Sequence, residues 1–167
     1  MSTLDRPAIV ELRPVDQDSF RDLLRRQAAT VTVVTAPGLA TGRRRPTLPP
    51  AGCTATALTA ESQEPPLVSV RLGRQAASWP ALAHAEHLAV HLLSAGQPEV
   101  ADLFTFDATD PFAVQPDWAS GPFGVPLIRD ARAVLLCRVV HTIEAGDHTV
   151  VLGEPLALGT ADDERGR

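Results

Sequence analysis

The stretch of residues 50–72 reads PAGCTATALTA, ESQEPP and LVSVRL, and it runs into the turn Gly73–Ser78. A threonine-rich segment of small residues leads through a Pro-Pro corner into an apolar strand. Its hydroxyls both donate and accept hydrogen bonds, and its glycine and alanines leave the backbone uncovered. Such a wall suits a flat polar ring lying against main-chain N–H groups. An ordinary half-buried strand is the alternative, since threonine favours strands in any case.

The composition indicates one globular domain. The chain has 167 residues, and we expect a single domain over 16–160, with a flexible lead-in at 1–15 and a flexible tail at 161–167. A net charge of −5 argues against a nucleic-acid surface. No apolar run approaches the roughly 20 residues of a membrane span, and no signal-peptide core is recognised. We therefore expect a cytoplasmic protein that binds neither nucleic acid nor membrane.

Missing residue types exclude several kinds of chemistry. All 15 residues counted as Lys or Arg are arginine, which excludes a Schiff-base lysine and a phosphate-loop lysine. Tyrosine, a common general acid, does not occur. Cys53 and Cys137 lie far apart and form no C-x-x-C pair, so we interpret both as small buried hydrophobes. Redox work would therefore need a bound group to carry the electrons.

The pattern of the chain predicts a mainly β domain with peripheral helices. Asp16 is a candidate cap for a helix over 17–28, and Ser78 begins a helix expected to run to about His87. A short helix over 98–104 precedes the proline- and glycine-rich stretch 105–126, a candidate lid or ligand wall. About six strands without βαβ alternation favour an antiparallel barrel, closed or nearly so. Five of these strands are predicted at 30–36, 67–72, 88–93, 131–144 and 149–158, with a hairpin at 145–148.

Common site motifs are absent. His84, His87 and His91 lack the H-E-x-x-H spacing of a helical zinc site, so their joint use as metal ligands is not expected. The sequence contains no G-x-S-x-G elbow, no G-x-G-x-x-G loop and no Walker loop. Any nucleotide must therefore be held by another architecture. The run 43–45, three arginines, is either a solvated loop tip or a clamp on ligand phosphates.

Four segments resemble the flavin reductase-like family, the short NAD(P)H:flavin oxidoreductases that serve two-component monooxygenases. The most specific is the hairpin GDHTVVLGE at 146–154, where a histidine beside an aspartate begins a strand. The resemblance extends over nearly the whole chain, from about Phe20 to Leu158. The other segments, in the family's order, are 52–59 with 64–68, the turn 74–78 with 88–94, and 124–127 with 136–137.

The resemblance implies a split β-barrel homodimer of the FMN-binding type, with six or so antiparallel strands. It implies FMN or FAD as the flavin, NADH or NADPH as the electron donor, and a flavin-dependent monooxygenase as the partner that receives reduced flavin. No catalytic side chain is required, because hydride passes between two stacked rings that the protein orients. The implied contacts are Thr54, Ala55, Thr56, Ala57 and Thr59 for the flavin ring, Arg74, Gln75 and Ser78 for the flavin phosphate, and Asp147 and His148 for the nicotinamide.

The chain departs from the family pattern at several positions. Alanines stand at 57, 76 and 77 where relatives often have hydroxyl residues, and His91 stands where asparagine is usual. Leu103 and Pro111 replace arginines on the expected nicotinamide side. Two alternatives to a reductase of diffusible flavin therefore stay open. One is a flavoprotein that holds FMN tightly and acts on its own substrate, and the other is a non-catalytic split-barrel dimer that has lost flavin.

Overall fold

The computed structural model describes residues 9–27, 31–38, 48–93, 97–104, 111–114 and 118–161. No helix within these ranges is long and apolar enough to cross a membrane. The helices are α1 (Gln17–Gln27), α2 (Trp79–Ala83), α3 (Pro98–Leu103) and α4 (Pro111–Val114), with a 3₁₀ turn at Pro122–Gly124. The strands are β1 (Arg13–Pro14), β2 (Thr32–Ala36), β3 (Ala51–Gln63), β4 (Pro66–Gly73), β5 (His87–Leu92), β6 (Trp118–Ser120), β7 (Pro126–Ile128), β8 (Ala133–Ala145) and β9 (His148–Thr160).

The long strands are joined in a ring of antiparallel pairings. β2 pairs with β3 and β5, β3 pairs with β4, and β5 pairs with β8. β9 pairs with both β4 and β8, so the ladder returns to its first strand. Register shifts in the β3–β4 and β8–β9 ladders make this an irregular, split arrangement. The predicted mainly antiparallel fold with peripheral helices is confirmed.

The ring encloses the main core because side chains alternate along each strand. Val70 and Leu72 point inward from β4 and are 3% and 0% exposed. From α1, Phe20 and Leu23 complete the same cluster. The predicted cap of α1 is confirmed, since the backbone N–H of Ser19 donates to Oδ1 of Asp16 at 2.8 Å. This hydrogen bond holds the pKa of Asp16 below its usual value.

The second helix is shorter than the sequence predicted. α2 ends at Ala83 instead of continuing to about His87. Nδ1 of His84 lies 2.8 Å from the carbonyl oxygen of Pro80, at the end of the helix. His87 already pairs with Arg138 as the first residue of β5, one residue earlier than predicted. Strand pairing therefore leaves no room for another helical turn.

The lead-in is packed over its described part. Arg13 pairs with Leu158 in the β1–β9 ladder, and Val10 is 5% exposed in a cluster outside the ring. The chain passes so close to Gly159 that a Cβ there would collide with the carbonyl oxygen of Glu11. The expectation of a loose segment at 1–15 is therefore wrong for residues 9–15, because these residues cover the edge of β9.

His91 is a buried bridge between three strands. The side chain on β5 is 0% exposed, its Nδ1 lies 3.3 Å from the carbonyl oxygen of Val33 on β2, and its Nε2 accepts a hydrogen bond of 3.1 Å from the N–H of Ile128 on β7. These partners require a neutral ring with the proton on Nδ1. Burial lowers the pKa of His91 from 6.5 to about 4, which keeps the ring neutral.

The buried neutral His91 predicts a pH-dependent stability. The folded pKa of about 4 lies below the ordinary value of 6.5, so the unfolded chain binds more protons between these values and stability falls as the pH falls through that window. Relative to the His91→Asn variant, the free energy of unfolding of the wild type should decline there by on the order of 1.4 kcal/mol per pH unit. Urea unfolding at several pH values measures this difference, and a difference that does not change with pH would contradict the assignment.

Candidate functional site

The turn after β4 and the β8–β9 hairpin meet at one end of the ring. Gly73 pairs with His148 across the β4–β9 ladder, and the backbone N–H of Arg74 donates to the carbonyl oxygen of Asp147 at 3.0 Å. Gly146 turns the hairpin at a φ of 67°, in the left-handed region that glycine adopts without strain. Two segments that the sequence singled out separately are therefore held together by main-chain bonds.

Asp147 fixes the ring of His148. The Nδ1 atom of His148 lies 2.7 Å from Oδ1 of Asp147, and the side chains are 35% and 70% exposed. The hydrogen bond with His148, followed by the charge of that ring, lowers the pKa of Asp147 below its usual value. The Nε2 edge and one face of a half-exposed imidazole are thus presented at a defined orientation next to the turn.

The threonine segment lies on β3, two strands away from the hairpin. Thr56 pairs with Arg71 on β4, and Arg71 pairs with Val150 on β9. Adjacent strands are about 4.8 Å apart, so the backbone of Thr56 lies roughly 10 Å from that of β9. Thr54 and Thr59 are exposed, and Ala55 is half-buried. For Thr56 and Ala57, only the backbone position in β3 is described. The β3 and hairpin segments therefore border one outer sheet face.

Arg71 is a site candidate that the sequence analysis missed. Val70 and Leu72 point into the core, so the alternation of the strand sends the exposed Arg71 to the outer face. Val150 is its neighbour on β9, and Ile143, 47% exposed, is the next residue across on β8. The alternation within LVSVRL was the available signal. It places a cation between the threonine segment and His148.

The polar side chains of the turn Arg74–Ser78 differ in their exposure to solvent. Gln75 is exposed, whereas Ser78 is 6% exposed and its side chain is hydrogen-bonded to the Cys53 thiol. The guanidinium of Arg74 lies 3.4 Å from the carboxylate of Glu144. The side chains of Arg74 and Gln75 are therefore open to solvent at least in part, while the Ser78 hydroxyl points into the protein.

Both cysteines are buried and free, as the sequence predicted. Burial raises the pKa of Cys53 to about 11, partly offset by the hydrogen bond with Ser78, and burial raises the pKa of Cys137 to about 12. Neither thiol forms a thiolate near neutral pH. The cysteines are therefore packing residues.

His84, His87 and His91 have three different structural roles. His91 is the buried bridge described above, and His84 is exposed at the end of α2. His87 stacks on Phe123, with ring centroids 3.7 Å apart and an interplanar angle of 2°. Among the residues the structure describes, no group of three His, Cys, Asp or Glu side chains is placed to hold a metal ion.

The stretch 105–126 forms a packed aromatic wall in its described parts. Phe112 on α4 lies 5.2 Å from Phe104 and 5.1 Å from Trp118, measured between ring centroids. Leu103 is half-buried against this cluster, and Pro111 is buried at the start of α4. Apolar packing accounts for Leu103. The arginine run at 43–45 lies outside the described residues.

Comparisons with known proteins agree with one another. The family model described as flavin reductase like domain matches residues 24–167. The chain is similar to the NADH:riboflavin 5'-phosphate oxidoreductase of Streptomyces pristinaespiralis, at 37% identity over 97% of this chain and 86% of that protein. It is also similar to the solved structure of the Streptomyces globisporus C-1027 NADH:FAD oxidoreductase in complex with NAD and FAD fragments, with a TM-score of 0.68 at 35% identity, covering 90% and 87% of the two chains. The flavin reductase component of a bacterial two-component tryptophan halogenase gives a TM-score of 0.63 at 30% identity, covering 88% and 89%.

Proposed function

This chain belongs to the flavin reductase-like family, and we propose on that basis that it reduces a diffusible flavin with NADH and releases the product to a partner oxygenase. Relatives named NADH:flavin oxidoreductases support the reaction and the electron donor. The observation that carries the proposal is the junction of the Arg74 turn with the Asp147–His148 pair, beside the outer face of β3 and β4.

The donor set of this face suits a phosphate-bearing flavin. Exposed hydroxyls at Thr54 and Thr59 and the exposed cation of Arg71 lie along its length, and the half-exposed cation of Arg74 lies in the turn at its end. A Cβ added at Gly73 would meet nothing within 4 Å, so open space lies above the backbone next to His148. When bound, the flavin supplies the hydride acceptor. The protein contributes binding and orientation.

We assign three roles along the face. The segment Thr54–Thr59, with Ala55, Thr56 and Ala57 contributing backbone, orients the flavin ring. Arg74 and Gln75 hold the phosphate, together with the backbone of the turn through Ser78. His148, oriented by Asp147, contacts the nicotinamide, because it presents an imidazole at the edge of the face.

The same face fits a homodimer. Ile143 and Val140 are 47% and 46% exposed on β8, and Ile143 lies opposite Val150 on β9. Exposed apolar side chains at the margin of a binding face are expected to be covered by a partner. We propose that a second copy covers them and completes the flavin site. The similarity to the flavin reductase component of a two-component halogenase supports a separate partner enzyme as the consumer of reduced flavin.

Turnover with excess flavin tests the proposal directly. Catalytic amounts of protein, supplied with NADH and either FMN or FAD, should reduce many flavins per protein, as followed by loss of the NADH absorbance. Flavin that stays with the protein through dialysis and is reduced only once would favour the tightly bound flavoprotein instead. No flavin binding at all would favour the non-catalytic dimer.

The role of His148 predicts a selective kinetic change. His148→Ala should raise the KM for NADH about two- to tenfold, the equivalent of one neutral contact, and leave the flavin dissociation constant within about twofold. Steady-state kinetics and flavin fluorescence quenching measure the two quantities. The control is His84→Ala, which removes another exposed histidine from the end of α2. Equal KM values for NADH in the two variants would show that His148 does not contact the nicotinamide.

The role of Arg74 predicts discrimination between flavins that differ only by the phosphate. Arg74→Ala should weaken FMN binding about tenfold, because a charged hydrogen bond is lost, and should leave riboflavin binding unchanged. Arg138→Ala is the matched control, since Arg138 is an exposed arginine paired with Glu154 at 2.9 Å on β9. If the binding of FMN and of riboflavin weakens equally, Arg74 supports the fold of the turn and does not bind the phosphate.

A further inference from the structure

The guanidinium of Arg74, which is proposed above to hold the flavin phosphate, already has a carboxylate beside it. Its Nη1 atom lies 3.4 Å from Oε1 of Glu144, near the end of β8. The two side chains are 32% and 81% exposed, and both line a cleft of about 360 Å³ between the β8–β9 hairpin and α2. A phosphate that approaches Arg74 therefore meets an anion that already occupies part of its binding capacity.

The ion pair of Arg74 with Glu144 is loose. Arg138 and Glu154, a second pair on β8 and β9, provide the contrast, since Nε and Nη2 of Arg138 donate to Oε1 of Glu154 at 3.2 Å and 2.9 Å. The contact of Arg74 with Glu144 is longer, and its carboxylate partner is the more exposed of the two. Exposed ion pairs contribute little to stability, so the guanidinium can exchange this carboxylate for another anion at small cost.

The hairpin places a second carboxylate within electrostatic reach of the same cation. The backbone N–H of Arg74 donates to the carbonyl oxygen of Asp147, which fixes the two residues next to each other. The hydrogen bond with His148 is the main cause that lowers the pKa of Asp147, and the charge of Arg74 contributes to the same lowering. One guanidinium therefore interacts with two carboxylates, Glu144 and Asp147, and cannot neutralise both.

This charge balance weakens the attraction of the turn for a flavin phosphate. A phosphate monoester such as that of FMN carries a charge of about −1.5 to −2 near neutral pH. Each carboxylate beside the guanidinium repels that charge and offsets part of the attraction that Arg74 provides. Riboflavin has the same ring without the phosphate, so its binding does not depend on this balance. A weak phosphate contact suits a reductase whose flavin has to leave after reduction.

We propose that Glu144 competes with the flavin phosphate for Arg74 and thereby keeps the bound flavin exchangeable. Glu144 acts through Arg74 and is therefore a positioning residue. The inference rests on the function proposed above, because it requires Arg74 to hold the phosphate. An orienting role is the alternative, in which the carboxylate holds the guanidinium in place for the phosphate, as Asp147 holds His148 at 2.7 Å. The two roles predict opposite changes in FMN affinity when the charge of Glu144 is removed.

The competition predicts tighter FMN binding in Glu144→Gln, which removes the charge and keeps the size of the side chain. The dissociation constant of FMN should fall about two- to fivefold, the range expected for one exposed charge, and that of riboflavin should stay within about 1.5-fold. Flavin fluorescence quenching measures both constants. The gain in FMN affinity should shrink at high salt, because salt screens exposed charges.

Two further variants separate competition for Arg74 from a general effect of charge. Glu154→Gln is the matched control, because it removes a carboxylate from Arg138 on the same pair of strands, and it should leave FMN binding unchanged. In an Arg74→Ala background, the gain from Glu144→Gln should be lost or largely reduced, because the residue competed for is gone. An equal gain with and without Arg74 would show plain charge repulsion and would overturn the competition.

The remaining outcomes distinguish this inference from the function on which it rests. Unchanged or weaker FMN binding in Glu144→Gln, with Arg74→Ala still weakening FMN, would overturn the competition and leave the phosphate contact of Arg74 in place. FMN binding that is the same with and without Arg74 would overturn the phosphate role of Arg74 and this inference with it. No FMN binding by the wild type would overturn the proposed site for FMN as a whole.

Discussion

The double pairing of β9 is the constraint on which the site depends. Along residues 148–153 this strand is hydrogen-bonded to β4 on one side and to β8 on the other. The turn after β4 and the hairpin before β9 are distant in the chain, and this ladder brings them into contact. The hydrogen bond from the N–H of Arg74 to the carbonyl oxygen of Asp147 then fixes their relative position. The orientation of the His148 ring is defined because its carboxylate partner belongs to the same rigid corner.

The two-residue period of the strands gives this corner two chemically different sides. On the outside, Arg71 and His148 lie near the exposed Ile143, on the face that we propose binds the flavin and a second subunit. On the inside, Thr149 and Val151 border a cleft that residues of the short helix α2 also line. A one-residue slip of β9 would exchange the two sets of side chains. The register of β9 is therefore as important for function as the identity of any one residue.

Buried polar groups identify residues with a structural role. Both ring nitrogens of the buried His91 have partners, on β2 and β7. Its polar atoms are therefore accounted for by bonding within the core. Ser78 is likewise accounted for by its contact with Cys53. The hydroxyl of Thr149 is buried, and it has no hydrogen-bond partner among the described residues.

Local chemistry was readable from the chain alone. The cap at Asp16, the glycine turn at 146, the buried cysteines and the antiparallel class all follow from interactions among neighbouring residues, and the family resemblance followed from short segments in order. The early end of α2, the packing of residues 9–15, the inward direction of Ser78 and the outward direction of Arg71 were decided by tertiary structure. Each of these depends on which distant strand lies opposite and in which register, and no local interaction carries that information.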